Sequence, residues 1–177
     1  MSFDVVARPV FGKADLDWLT HLRETHAHSL GPPEFTLVFP GPAAEPDIVA
    51  GQVRAACAAT PRVHFCLRAA VIVPELTLGW FHVFLVPEEG FAALIRLHER
   101  LHAGPLAACL RPEEPYIPHM TVASVKEFDL ARRTKSALNA HDLAVSGRID
   151  EVEVRQRDAA EPHRIAIVPL AHHGLFR

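Results

Sequence analysis

Apolar residues recur along this chain in two rhythms, every second position and every third or fourth, and the switches between them mark its elements. The run "FDVVARPVF" (3–11) reads as a first strand, with Pro9 placing it near a sheet edge or a strand end. From 14 to 28, Leu16, Leu19 and Leu22 fall at helical intervals, and Asp15 and Asp17 suit the first turn. "GPP" breaks that helix, and Glu34 to Phe39 alternates as a strand. A second helix follows over 46–60, with Ile48, Val49, Val53, Ala56 and Cys57 along its apolar stripe and Pro61 ending it. Two strands, 63–73 and 79–86, flank a turn from Pro74 to Gly79. A helix over 90–104 stops at Gly104-Pro105, a strand runs from 117 to 125, and a short helix covers 129–140. The tail supplies two last strands, in 143–158 and 163–172, predicted to pair as a hairpin. Strands and helices mix without the steady β-α-β-α alternation of a doubly wound sheet, so the predicted class is α+β. With no linker or low-complexity segment, residues 1–177 are expected to form one domain of two similar lobes.

Two of the strands repeat one another. Pro33-Glu34-Phe35-Thr36-Leu37-Val38 and Pro118-His119-Met120-Thr121-Val122-Ala123 each run proline, ionisable residue, apolar residue, threonine, then apolar residues. Strict alternation puts Phe35, Leu37 and Phe39 on a core face, and Met120 and Val122 likewise. Glu34 and Thr36 then share the opposite face, as do His119 and Thr121, and the two polar pairs are expected to look into one cleft. An H-x-[ST] triplet alone arises about once by chance in a chain with 12 histidines. The matched proline, threonine and surrounding elements are what give the repeat its weight.

Composition narrows the functions available. About half the residues are apolar, as in a soluble globular protein, and the formal net charge is −3 with no basic run. That excludes a coat for duplex DNA held by many phosphate contacts. It leaves room for a small phosphorylated ligand in a locally positive cleft. No signal peptide is expected from "MSFDVVARPVF", and no segment reaches the roughly 18 apolar residues of a membrane span. Cys57, Cys66 and Cys109 are odd in number and lack CxxC spacing, which reads as buried free thiols in a reducing cytoplasm.

"PPEFTLVFPG" and "PYIPHMTVAS" resemble the paired H-x-[ST] motifs of the 2H phosphoesterase superfamily, the 2′-5′ RNA ligase-like and cyclic phosphodiesterase-like proteins. The resemblance spans essentially the whole chain. The second motif matches fully at His119 and Thr121. The first matches at Thr36, Leu37, Phe39 and Gly41, with Glu34 where the family has histidine. It implies an α+β fold of two pseudo-symmetric lobes, antiparallel strands flanked by helices around a central cleft. It also implies metal-independent chemistry on 2′,3′-cyclic or 2′-5′ phosphodiesters of nucleotides or RNA ends, without a cofactor, by a monomer. In that family two histidines serve as general base and general acid, and the threonine hydroxyls hold the phosphate oxygens.

The resemblance makes His119, Thr121, Glu34 and Thr36 the candidate catalytic set. Glutamate admits three readings: Glu34 acts as the base, a histidine from elsewhere completes the site, or the chain binds nucleotide phosphates without turnover. His64 and Arg68, on one face of their strand, and His82 in the next are candidates to reach the cleft. Tyr116, just before the second motif, is a candidate to stack on a base or sugar.

A different chemistry is written in His98-Glu99-Arg100-Leu101-His102, an H-E-x-x-H match that can bind zinc on a helix and activate water. Gly104-Pro105 ends that helix at once, and Ala108 stands where an extended motif carries its third histidine. His98 also continues the stripe of Phe91, Leu94 and Ile95, so a helix–sheet seam is the competing reading and no metal is expected. His26, His28, His172 and His173 have no third partner at ligand spacing and read as solvated.

Overall fold

In a computed structural model, residues 2–26, 31–42, 45–75, 77–140, 142–157 and 162–171 are described. The strands are β1 (Ser2–Ala7), β2 (Val10–Phe11), β3 (Phe35–Pro42), β4 (Val63–Glu75), β5 (Trp80–Glu89), β6 (Met120–Val125), β7 (Val145–Ile149), β8 (Glu151–Gln156) and β9 (His163–Pro169). The helices are α1 (Lys13–His26), α2 (Pro46–Ala58), α3 (Phe91–Leu101) and α4 (Phe128–Asn139), with a 3-10 helix at Gly104–Cys109. The strands form two antiparallel sheets, in the orders β3-β1-β8-β9 and β2-β7-β4-β5-β6. This is the expected α+β class. No helix among the described residues is long and apolar enough to cross a membrane.

Two predicted strands prove to be sheet crossovers. "FDVVARPVF" breaks at Arg8-Pro9, so β1 lies in the four-stranded sheet and β2 in the other. Proline has no N–H to continue a ladder, and the chain changes partner there. The segment 143–158 likewise splits at Asp150 into β7 and β8, which belong to different sheets, and only β8 pairs with β9. Each sheet is therefore assembled from both ends of the chain.

The buried faces join in one core, including Phe3, Val5, Leu37, Leu67, Leu85, Leu94, Met120 and Val154. Phe35 meets Phe65 edge-on at 5.0 Å, a geometry that suits the ring quadrupole. The stripe of α2 buries Val49, Val53, Ala56 and Cys57, but Ile48 is 54% exposed. It lies about one turn-third away from the face that the core covers. The 3-10 helix, missed by periodicity because it is too short to repeat, comes so close to β3 that a Cβ on Gly41 would meet the Cys109 Sγ at 2.9 Å.

The two motif strands, β3 and β6, are each an edge strand of their sheet, and each departs from strict alternation at the same place. Val6 pairs with Thr36 and Val5 with Val38, leaving Leu37 as an extra residue. Phe84 pairs with Thr121 and Val83 with Ala123, leaving Val122 as the extra residue. These are β-bulges directly after the motif threonine, and they re-phase everything beyond. Leu37 and Val38 are both fully buried, as are Val122 and Ala123. Phe39, expected in the core, is only half-buried and turns to the open side with Ser124 at the equivalent position.

Candidate functional site

His119 stands immediately before β6, half-buried, at the wall of a cavity of about 980 Å3. The cavity runs from the open face of β5 past α3 to the loop 109–117, with Phe39, His82, Phe84, His98, His102, Arg111, Tyr116 and His119 among its lining. The bulge after Thr36 is what brings Phe39 here, where the Arg111 guanidinium lies 4.9 Å from its ring centre.

His119 is well oriented. Its Nδ1 lies 2.7 Å from the Ile117 carbonyl. A carbonyl only accepts, so Nδ1 carries the proton and Nε2 is left with the lone pair in the neutral ring. Its ring stacks on Phe84 at 3.7 Å. Burial lowers the His119 pKa, the Ile117 bond opposes that, and nearby His82 lowers it further. His82 also lies near-parallel to Phe84, at 6.0 Å between ring centres, with its Nδ1 2.8 Å from the Ser124 Oγ. Its pKa is lowered by burial and raised by Glu75.

Glu34 occupies a different environment. Its carboxylate takes two hydrogen bonds from Arg155, at 3.1 and 3.2 Å, and lies 3.7 Å from Arg8. Arg155 also grips Asp4 through two bonds of 2.8 and 2.9 Å, and Arg157 reaches the same aspartate at 3.2 Å. Burial alone would lower the Arg155 pKa, but the Asp4 bonds and the Glu34 charge outweigh it and raise the value. Arg23 on α1 adds a further cation close to Glu34. Desolvation lowers its pKa against the pull of that carboxylate, and its buried Nε has no hydrogen-bond partner among the described residues. These arginines come from distant parts of the chain, and no local pattern announces them.

The remaining candidates separate. Thr36 and Thr121 are half-buried within their strands and do not line this cavity. His64 and Arg68 are exposed on β4, also away from it. Tyr116 lines it, but its hydroxyl donates to the Thr36 carbonyl at 3.0 Å and its ring stacks on His98 at 3.8 Å. One ring face and the hydroxyl are thus committed to holding the second motif's loop against the first motif's strand.

His98 and His102 belong to the same seam. His98 Nδ1 donates to the Leu37 carbonyl at 2.8 Å, and His102 Nδ1 donates to the His98 carbonyl at 2.8 Å. Burial lowers both pKa values, partly offset by those bonds. Glu99 points to solvent. No group of three metal-ligating side chains converges among the described residues, so the H-E-x-x-H match has no third ligand there. His28, His172, His173 and the side chain of His26 lie outside the described residues.

Two antiparallel sheets assembled from both ends of the chain, each with a matched and identically bulged motif strand at its edge, define a duplicated α+β architecture. The sequence pattern of the 2′-5′ RNA ligase superfamily matches residues 12–161. The chain belongs to that family, the 2H phosphoesterases. Solved structures share the fold: Escherichia coli LigT complexed with 3′-AMP (TM-score 0.61, 13% identity, covering 95% of this chain and 97% of that one) is one. Kluyveromyces marxianus Usb1 (0.59, 9%, covering 96% and 98%) is another, and a phosphoesterase (0.56, 15%, covering 96% and 98%) is a third. No curated protein matches at the sequence level.

Proposed function

We propose that this protein is a metal-independent phosphodiesterase acting on a 2′,3′-cyclic or 2′-5′ phosphodiester of a nucleotide or RNA end, as a cytoplasmic monomer. The observation that carries this reading is the tautomer of His119 within a matched motif of this family. Nδ1–H is spent on the Ile117 carbonyl, and burial favours the neutral ring, so Nε2 is available as a general base. The family motif gives Thr121, two strand positions on but outside the lining of this cavity, the role of holding the non-bridging oxygens whose charge grows in the transition state. Phe39 and Phe84 supply apolar walls suited to a sugar or base. The 3′-AMP bound in the LigT structure and the uridine monophosphate bound in a Usb1 structure support a nucleotide phosphate as the ligand class.

The test is hydrolysis of 2′,3′-cyclic nucleotides. His119→Ala is expected to lower kcat about 10²–10⁴-fold, while activity persists after chelation and dialysis. Full activity in that variant sinks the assignment. Chelator-sensitive turnover that also disappears in His98→Ala would instead support zinc chemistry at 98–102. The engagement of Glu34 by Arg155 favours one other reading, a relative that binds nucleotide phosphates without turning them over. Saturable binding with no product at any pH supports that one.

A further inference from the structure

A phosphodiester hydrolase with one base needs a second group to protonate the departing oxygen. In the first motif the residue at that position, Glu34, is held by Arg155 and Arg8 and does not line the cavity that contains His119. Another histidine does. His82 sits on β5, the strand beside β6, and lines the same cavity as His119; both rings lie near-parallel to that of Phe84, at 6.0 and 3.7 Å, and His82 is close enough to bear on the His119 charge. Its orientation is set by the second motif itself. The bulge at Val122 turns Ser124 to the open face opposite His82, where its Oγ meets Nδ1 at 2.8 Å.

We infer that His82, held by Ser124, is the general acid of this site, in place of the first-motif histidine that the chain lacks. This rests on the reading of His119 as the base. Nε2 of His119 takes a proton from water as the water oxygen bonds to phosphorus. The bond from phosphorus to the ribose oxygen breaks, and that oxygen takes the Nε2 proton of His82. A cyclic phosphodiester and water become a phosphomonoester, and the two rings exchange their protons with solvent to reset. Ser124 Oγ accepts from Nδ1–H and so leaves Nε2 turned to the cavity as the position that gives up its proton. Glu75 on β4 and His119 before β6 act on the charge of His82; the other charged and titratable groups lining the cavity are His98 on α3, His102 just after it, and Arg111, Glu113 and Glu114 of the loop. α4 meets this sheet through Ala131, Thr134 and Leu138, none of them charged. Burial lowers the His82 pKa and Glu75 only partly offsets it; the negative charge of the bound substrate is what pulls it back up.

The experiment pairs two substrates over a pH series. On a 2′,3′-cyclic nucleotide, wild type is expected to give a bell-shaped kcat/KM profile. His82→Gln is expected to lose about 10²-fold in kcat together with the alkaline limb. On a 4-nitrophenyl phosphodiester, whose leaving group needs no proton, His82→Gln is expected to stay within a few-fold of wild type while His119→Gln does not. Ser124→Ala is expected to lower kcat on the cyclic nucleotide more than on the 4-nitrophenyl phosphodiester, a split between substrates that a packing role for the serine would not produce. An unchanged cyclic-nucleotide profile in His82→Gln overturns the inference, as does loss of the alkaline limb in Glu34→Gln instead. If His119→Gln is silent, or wild type does not turn over, the underlying reading falls with it. If His119→Gln is inactive but His82→Gln is normal, only the role of His82 falls.

Discussion

Position 34 shows how much a single exchange depends on its surroundings. A histidine there would place a potential cation beside Arg155, Arg8 and Arg23, whereas glutamate neutralises part of that cluster. Asp4 is 1% exposed and takes bonds from both Arg155 and Arg157. Breaking a buried pair from one side leaves an uncompensated charge, so Arg155→Met is expected to destabilise the protein by about 3–5 kcal/mol. Glu34→Gln leaves the Arg155–Asp4 grip intact and keeps one acceptor for Arg155, so it is expected to cost about 1.5–3 kcal/mol, the range of one charged hydrogen bond. Urea denaturation of the two variants checks the order. A larger loss in Glu34→Gln would mean that Glu34, rather than Asp4, anchors the arginine.

At the level of elements, the motif strands were legible and their phase was not. Two-residue alternation identified Glu34–Thr36 and His119–Thr121 because a strand sends alternate side chains to one face regardless of its partners. The bulges at Leu37 and Val122 leave no mark in composition. They arise from pairing with β1 and β5, and they decide that Phe39 and Ser124 face the open side. The edge of β3 is covered by α3 and the loop before β6, through His98 to the Leu37 carbonyl and Tyr116 to the Thr36 carbonyl. Tyr116→Phe removes one such bond, so it is expected to cost about 1 kcal/mol and to raise KM more than it lowers kcat. Steady-state kinetics with a thermal melt tests this. An unchanged melt would show that the hydroxyl contributes nothing to holding the loop. At 98–102 the competing reading of the H-E-x-x-H match, a helix–sheet seam, describes what the two histidines do as donors to the Leu37 and His98 carbonyls.

Across the whole molecule, histidine burial is expected to make stability depend on pH at the acid end. His82, His98, His102 and His119 all have pKa values lowered from 6.5 in the fold. Below 6.5 the unfolded chain binds more protons than the folded one, so stability is complete above that pH and declines as pH falls through the folded values. Melting temperature is therefore expected to hold from pH 8 to about 7 and to fall steadily towards pH 5. His98→Gln is expected to flatten that slope; a slope unaltered by it would place the acid sensitivity elsewhere.

The local rules of the chain were enough for the class of fold, the duplicated motif and the family, since each is written in residues a few positions apart. The site was decided by contacts between residues far apart in sequence. Arg155 reaches Asp4 across 151 positions and Glu34 across 121, and His82 meets Ser124 across 42. Whether a carboxylate is free or paired, and which imidazoles share a cavity, depends on charges and faces brought together only by the exchange of strands between two sheets.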